Sequence, residues 1–221
     1  LTLNEPPALS GTASVTQAVD CYGSSTGEIT FVVDPAQPGI PTYQYSINAG
    51  GLQSSAIFPN LLGDVNYDVM IEDNNGCQFI STVYLAEPAQ IIFATSLSNY
   101  NGYEVSCDGA SDGVIEFTST IGGVGPYEYS TDDGLNFYPD TLYNNLASGT
   151  YNIKVMDANG CLETILIILD DPGVFSIPFV ISNPIDCPGA CDGAVSINQS
   201  NGVGNILYDL DGGTQQSTPY F

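Results

Sequence analysis

The sequence contains no histidine, no tryptophan and a single basic residue, Lys154. Without histidine it lacks both the general base of Ser/His/Asp and Cys/His catalysis and the commonest zinc ligand. With a formal net charge of -24, it cannot neutralise the phosphates of a nucleic acid or the surface of an anionic membrane. We therefore expect no nucleic-acid partner, no catalytic residues, no cofactor and no protein-bound metal, so the chain is not expected to be an enzyme.

A long hydrophobic run is also missing, because the most compact apolar stretch, Ile165–Leu169, lies between Glu163 and Asp170. A membrane-spanning helix needs about eighteen or more apolar residues, so no direct membrane insertion is expected. Hydrophobic residues nevertheless make up 43% of the chain and aromatic residues 10%. That content is enough for a folded core and does not fit an intrinsically disordered chain.

An internal repeat organises the chain. The segment Tyr67–Cys77, YDVMIEDNNGC, returns 84 positions later as Tyr151–Cys161, YNIKVMDANGC. A Cys-x-Gly opening and a closing Glu/Asp-Pro joint recur with nearly the same period, which is the signature of a repeat architecture. We predict the end of a preceding repeat at residues 1–6, complete repeats at 7–88 and 89–172, and a partial repeat at 173–221. Both ends look cut, so we expect a longer array.

Hydrophobic and polar residues alternate within each repeat, as they do in half-buried antiparallel strands. Tyr67, Val69 and Ile71 would face a core, with polar or less buried residues between them. Clusters of Gly, Pro, Asn and Asp separate the short runs, and no segment has a convincing helical pattern. We therefore predict an all-β fold of tandem immunoglobulin-like β-sandwich domains, with tyrosine corners at Leu62–Tyr67 and Leu146–Tyr151.

Cysteine is the strongest chemical signal in the sequence. Each complete repeat has one cysteine at its opening and one just after the Asp-x-x-Gly turn. Two cysteines per repeat predict the disulfides Cys21–Cys77 and Cys107–Cys161, each of which would clamp one domain. A buried free thiol is the alternative, whereas a metal site would need more cysteines or histidine.

The third repeat differs because it contains both Cys187 and Cys191. Cys187 occupies the opening position, so its partner would lie beyond Phe221, while Cys191 could bond Cys187 or a later residue. The partners of both cysteines stay open. Disulfide bonding indicates an extracellular rather than a cytoplasmic location.

Several motifs together resemble a known family. They are the Cys-x-Gly opening, Gly-Pro-Tyr-x-Tyr-Ser at Gly125–Ser130, Gly-Thr-Tyr at Gly149–Tyr151 and Asp-x-Asn-Gly-Cys at Asp157–Cys161. This combination resembles the SprB repeat over nearly all of the chain. The resemblance implies a large cell-surface adhesin of Bacteroidota, similar to the mobile adhesin of gliding bacteria and exported by type IX secretion.

From these features we expect a non-catalytic stalk or filament segment of a secreted bacterial cell-surface adhesin, with a role in gliding or attachment. Its partners would be neighbouring repeats of the same long chain or filament, and a surface glycan or substratum at a distal tip. One alternative is a spacer module of a larger secreted hydrolase. Another is carbohydrate binding by the repeats, through exposed aromatic residues that stack on sugars: Tyr100, Tyr103, Phe137, Tyr138 and Tyr143.

Two further signals are short. Asp140-Thr141-Leu142 resembles the O-glycosylation motif of Bacteroidota, which makes Thr141 a glycosylation candidate. The Asp-rich turns lack the full ligand spacing of an EF-hand, so we favour turn chemistry, with weak Ca²⁺ stabilisation between carboxylates as the alternative. These turns lie at residues 73–76, 132–134, 157–160 and 209–212.

Overall fold

The computed structural model describes residues 8–177, 179–183, 186–187, 193–199, 201 and 204–221. These residues form fourteen β-strands and contain no helix, so the all-β prediction is confirmed. Nothing in this part of the chain is a helix long and apolar enough to span a membrane. Contacts divide the chain into two compact units.

The first unit comprises the described residues up to Ile92 together with Ile121–Tyr127 and Met156–Glu163. Its strands are β1 (Leu9–Gln17), β2 (Gly27–Pro38), β3 (Gln44–Ile47), β4 (Ile57–Leu61), β5 (Val65–Glu72) and β6 (Gln78–Leu85). They form two three-stranded antiparallel sheets with the orders β1-β2-β4 and β3-β5-β6. The chain crosses to the second sheet at β3, returns at β4 and crosses again at β5, which is the Greek-key connection of an immunoglobulin-like sandwich.

The core of the first unit follows the alternation that the sequence predicts. Tyr67, Val69 and Ile71 of β5 are buried, while the residues between them are exposed or half-buried. They belong to one cluster with Ile29 and Phe31 of β2, in the other sheet. Burial of these apolar side chains between the sheets is the main stabilising term of such a sandwich.

The second unit comprises Phe93–Thr120, Glu128–Val155 and the described residues from Thr164 onwards. The remaining strands are β7 (Ile92–Leu97), β8 (Gly113–Ile121), β9 (Glu128–Ser130), β10 (Leu142–Leu146), β11 (Gly149–Met156), β12 (Leu162–Leu169), β13 (Phe179–Asn183) and β14 (Ala194–Ile197). The sheet orders β10-β8-β7 and β12-β11-β9 repeat those of the first unit, and β13 pairs with β14. The buried side chains are also repeated: Val105, Ile115, Phe117, Tyr129, Ile153, Val155 and Leu169.

Tyrosine corners occur at the start of β5 and of β11. The hydroxyl of Tyr67 donates to the carbonyl of Leu62 at 3.0 Å, as predicted. The hydroxyl of Tyr151 donates to the carbonyl of Ala147 at 2.9 Å, one residue later than the predicted Leu146. Each bond ties the strand to the chain segment that enters it, a feature of immunoglobulin-like sandwiches.

The turn between β5 and β6 is built around the buried carboxylate of Asp73. Its Oδ1 accepts the backbone N–H groups of Asn75 and Cys77, and its Oδ2 accepts that of Ile40, each at 2.9 Å. These bonds, led by the one from Ile40, lower the pKa of Asp73 although burial opposes them. Gly39 has φ +60°, and a Cβ atom there would lie 2.7 Å from Asp73 Oδ2, so this position requires glycine.

The same arrangement recurs around Asp157, in residues that group with the first unit. Oδ1 of Asp157 accepts the N–H groups of Asn159 and Cys161 at 2.9 Å, and Oδ2 accepts that of Val124 at 2.8 Å. Gly123 has φ +58°, and its Cβ would lie 2.6 Å from Asp157 Oδ2. At both positions the aspartate therefore serves as the backbone acceptor that turn chemistry predicts.

The lowered pKa of Asp73 leads to a prediction for acid unfolding. A carboxyl whose folded-state pKa lies below its ordinary 3.8 contributes stability above that pH and loses it as the pH falls through the folded-state pKa. We expect the urea midpoint to fall below about pH 4. The fall should be smaller in Asp73→Asn, which cannot titrate and should already be less stable at pH 7.

Circular dichroism with urea at pH 7, 5, 4 and 3 checks this expectation. The Asp140→Asn variant, at an exposed residue, is the control for the loss of one carboxylate, and it should retain the pH dependence of the unmodified chain. Equal pH dependence in the unmodified chain and Asp73→Asn would contradict the role assigned to Asp73.

Candidate functional site

The loop between β1 and β2 presents the half-buried Cys21. The carbonyl of Cys21 accepts the N–H of Ser24 at 3.0 Å, which closes a tight turn. Gly23 donates its N–H to the carboxylate of Glu87 at 2.9 Å. The loop is therefore held both by its own turn and by the segment that follows β6.

Cys21 forms a disulfide with Cys161, and both residues lie in the first unit. The side-chain amide of Asn159 donates to the carbonyl of Asp20 at 2.9 Å, and Cys161 Sγ lies 3.3 Å from the same oxygen. The bond spans 140 positions. It joins the opening loop of the first predicted repeat to the Asp-x-x-Gly-Cys turn of the second.

The predicted pairs Cys21–Cys77 and Cys107–Cys161 are therefore wrong. Cys77 and Cys107 carry free thiols, and both residues are exposed. Within the first sandwich Cys21 precedes β2, whereas the turn that holds Cys77 is bonded to Ile40, beyond the other end of β2.

The length of β2 explains why these two cysteines cannot meet. A strand of 12 residues rises about 3.3 Å per residue, so it separates its ends by several times the roughly 5.5 Å that a disulfide allows between Cα atoms. The second repeat has the same plan, because Cys107 precedes β8 and the Asp157 turn is bonded to Val124, just after β8. Within the first unit, the two cysteines of one repeat therefore lie at opposite ends of the sandwich.

The remaining cysteines belong to the third predicted repeat. Cys187 is exposed and carries a free thiol, while Cys191 lies outside the described residues. The partners of both stay open, as in the sequence-based prediction.

A small cavity of about 120 Å³ borders the disulfide. Ile91, at its wall, is only 5% exposed, and Gly123 donates its N–H to the carbonyl of Ala89 at 2.7 Å. The cavity is smaller than the roughly 300–1,000 Å³ of pockets that bind small molecules. The Asp157 turn and Gly123 thus cover the segment that follows the Glu87-Pro88 joint. The lining residues are Cys21, Tyr22, Pro88, Ala89, Gln90, Ile91, Gly123, Asp157, Cys161, Leu162 and Glu163.

The five aromatic residues considered for sugar stacking are not equally exposed. Tyr138 is exposed, whereas Tyr100, Tyr103 and Phe137 are half-buried. Tyr143 packs edge-on against Phe117 and donates its hydroxyl to the carbonyl of Tyr129 at 2.7 Å. Burial, the leading cause, raises the pKa of Tyr143 to about 12. Its inclusion among exposed aromatics was wrong, because its ring closes the core of the second unit.

The glycosylation candidate Thr141 is exposed and lies immediately before β10. Its backbone carbonyl accepts the N–H of Phe117 at 2.8 Å. The backbone at Thr141 is therefore held by pairing with β8, while its side chain is exposed. Glycosylation of Thr141 stays a prediction. Among the described residues, no three Cys, Asp or Glu side chains converge as metal ligands would.

The disulfide assignment leads to a prediction for two serine variants. Cys161→Ser should lower the free energy of unfolding by about 2–4 kcal/mol under oxidising conditions, because it opens a long covalent loop. Cys77→Ser should change it little, because that thiol is free and exposed. Thermal melts with and without a reducing agent measure both effects. A loss in Cys77→Ser as large as that in Cys161→Ser would instead support pairing within one repeat.

Two solved structures align with this chain at low TM-scores. The C-terminal 282-residue fragment of intimin, solved with the intimin-binding domain of the translocated intimin receptor, aligns at a TM-score of 0.39 and 11% identity. That alignment covers 78% of this chain and 67% of the intimin chain. The three N-terminal domains of the highly immunogenic outer capsid protein of bacteriophage RB49 align at 0.38 and 13%, covering 87% and 67%.

No curated protein sequence matches the chain significantly. A family model described as the SprB repeat matches residues 13–52. This segment runs from within β1 to the residues after β3, and it includes Cys21 and its loop. The similarity to the SprB repeat is thus shown for residues 13–52.

Proposed function

We propose that the chain is a segment of the stalk of a secreted bacterial surface adhesin and that it performs no catalysis. The SprB repeat at residues 13–52 supports an adhesin-like, cell-surface setting. In this proposal the protein is exported by type IX secretion in a bacterium of the Bacteroidota. Neighbouring repeats of the same chain are its main partners, and a surface glycan or substratum is bound at a distal tip.

The observation that carries this proposal is the disulfide between Cys21 and Cys161. A stalk must transmit tension along its length without being drawn out into an extended chain. A covalent bond from the opening loop of one predicted repeat to the turn of the next gives tension a path that bypasses the chain between Cys21 and Cys161, which are 140 positions apart. The proposed domain boundary at residues 88–89 lies within the chain segment between the two bonded cysteines, and the boundary at residues 172–173 lies shortly after Cys161.

The joints themselves are also tied to neighbouring backbone. Glu87, before Pro88, accepts the N–H of Gly23. In the second unit the carbonyl of Asp170 accepts the N–H groups of Glu104 and Val105, both at 3.0 Å. Because proline also restricts the residue before it, these joints have fewer backbone conformations than a flexible linker. Ordered joints favour a stalk over a loose tether.

Single-molecule pulling provides a mechanical test. The oxidised chain should unfold without releasing the segment between Cys21 and Cys161, and reduction should add a contour length of about 3.4 Å for each of the 140 positions, or roughly 480 Å. The Cys161→Ser variant should release this length without reduction, while Cys77→Ser should behave as the unmodified chain. Two shorter increments on reduction would contradict the bond and point to pairing within each repeat.

A replacement experiment in the full-length protein tests the stalk function itself. We expect attachment of the bacterium to be retained when residues 7–172 are exchanged for an equal length of unrelated β-sandwich domains, and to weaken when the segment is deleted. The isolated chain should bind nothing on a glycan array. Loss of attachment on exchange, together with glycan binding by the isolated chain, would establish the carbohydrate-binding alternative. Retained secreted hydrolase activity and unaltered attachment after deletion would favour the spacer alternative.

A further inference from the structure

We propose that Cys107 is one half of a second repeat-to-repeat disulfide, whose other half is the cysteine of an Asp-x-x-Gly-Cys turn in the repeat that follows residue 172. In the same way, Cys77 would be the turn cysteine for the opening loop of a preceding repeat. The inference rests on the proposed array of repeats, but it concerns bonding and not adhesion.

The opening loop at Cys107 has the geometry of the loop at Cys21. The carbonyl of Cys107 accepts the N–H of Ala110 at 3.0 Å, as the carbonyl of Cys21 accepts that of Ser24 at 3.0 Å. Both loops lie between the first two strands of a sandwich. Cys21 is bonded and Cys107 is an exposed free thiol. The second loop is therefore built like the first but lacks the turn that the first one bonds.

The turn at Cys77 is likewise a copy of the bonded turn at Cys161. Asp73 accepts three backbone N–H groups at 2.9 Å, one of them from Cys77, and Asp157 accepts the equivalent three, including that of Cys161. The turn at Asp157 holds Cys161, which is bonded, and the turn at Asp73 holds Cys77, which is an exposed free thiol. Each free cysteine thus corresponds to one side of the observed bond.

An open apolar cleft beside Cys107 independently indicates a missing partner. The cleft has a volume of about 430 Å³, and its counterpart beside Cys21 is reduced to about 120 Å³ where Gly123, Asp157 and Cys161 cover it. Phe175 and Val174, which follow the Asp171-Pro172 joint, are 47% and 62% exposed. The lining residues are Ser106, Cys107, Asp108, Pro172, Gly173, Val174, Phe175, Asn201 and Ile206.

The equivalent position in the first unit identifies the occupant. Phe175 follows Pro172 by three positions, as Ile91 follows Pro88, and Ile91 is only 5% exposed. Gly123, next to the Asp157 turn, is so close to Ile91 that a Cβ atom would lie 2.8 Å from its Cγ1. An Asp-x-x-Gly-Cys turn with its glycine-bearing neighbour loop would therefore cover Phe175 and bring its cysteine to Cys107. A buried apolar surface is favoured over the exposed one.

The chemistry is an ordinary thiol oxidation. One S–S bond forms from two thiols, which release two protons and two electrons. A low-molecular-weight disulfide, such as oxidised glutathione, accepts the electrons and protons and becomes two thiols. The attacking species is the thiolate, and Cys107 is exposed to the oxidant before the turn docks.

Extending the chain by part of its own sequence tests the inference. The backbone of Phe221 forms two hydrogen bonds with the backbone of Val195. Tyr143 pairs with Ile115 in the equivalent position of the second repeat, so Phe221 corresponds to Tyr143. A second copy of residues 144–172 placed after Phe221 would therefore complete the third repeat and supply an Asp-x-x-Gly-Cys turn. The extended and unextended chains are refolded in a glutathione redox buffer, alkylated without reduction, and mapped by peptide mass spectrometry.

We expect Cys107 in the extended chain to be bonded to the appended cysteine, so its alkylation should fall about tenfold or more relative to the unextended chain. Cys77 should remain alkylated in both, and the Cys21–Cys161 bond reports that the first unit is folded. Changing the appended cysteine to serine should restore alkylation of Cys107.

Three results would overturn the inference. The appended cysteine could bond Cys187 or Cys191, which would establish pairing within one repeat. Copies of the chain could join through Cys77 and Cys107, which would make the partner a second molecule. Cys107 could remain fully alkylated while the Cys21–Cys161 bond forms, which would mean that the turn does not dock. Because none of these results depends on attachment, they are separate from failure of the stalk proposal.

Discussion

The buried carboxylates of Asp73 and Asp157 organise the two Asp-x-x-Gly-Cys turns, and the disulfide depends on the turn at Asp157, which holds Cys161. Each accepts three backbone N–H groups that would otherwise be left without a partner in a tight turn. Leaving such groups unpaired costs about 1–3 kcal/mol each. The same carboxylates also accept hydrogen bonds from Ile40 and Val124, in the loop that follows the second strand of each repeat. This contact places the turn cysteine at one end of the sandwich.

The chain satisfies its acidic side chains with hydrogen bonds because it has almost no cations. The ion pair between Lys154 and Asp133, at 3.0 Å, is the one found in the described residues. Hydroxyl and amide donors take the place of basic groups. Hydrogen bonds from Ser130 and Asn136 lower the pKa of Asp132 to about 2. In the same way, Ser106 lowers the pKa of Asp112, and Ser148 lowers the pKa of Asp171. These carboxylates therefore stay ionised at mild acidity, which preserves the like charge that opposes association between chains.

The sequence alone was sufficient for the sandwich but not for the cysteine pairing. Alternation in Tyr67, Val69 and Ile71 reports burial directly, because a strand has a period of two. Two cysteines per repeat fit pairing within one repeat and pairing between successive repeats equally well, since both have the same period. The pairing is decided by the length of β2, which separates Cys21 from the turn that holds Cys77. Recognising this separation requires knowledge of the strand order, which the sequence alone does not provide. Tyr143 was misjudged for a similar reason, because its place opposite Ile115 in the sheet decides its burial.

Bonding between successive repeats changes which property limits a chain under tension. A disulfide within each repeat would stabilise that sandwich, but tension across the joints would then be carried by the polypeptide backbone alone. The Cys21–Cys161 bond instead makes the covalent path through the disulfide shorter than the path through either sandwich, so unfolding of the bypassed strands adds no length. For the segment between the two cysteines, extension is then limited by the redox state of the bond and no longer by the modest stability of a small β domain. A chain of this kind keeps its length only where disulfides persist, which is outside the cytoplasm.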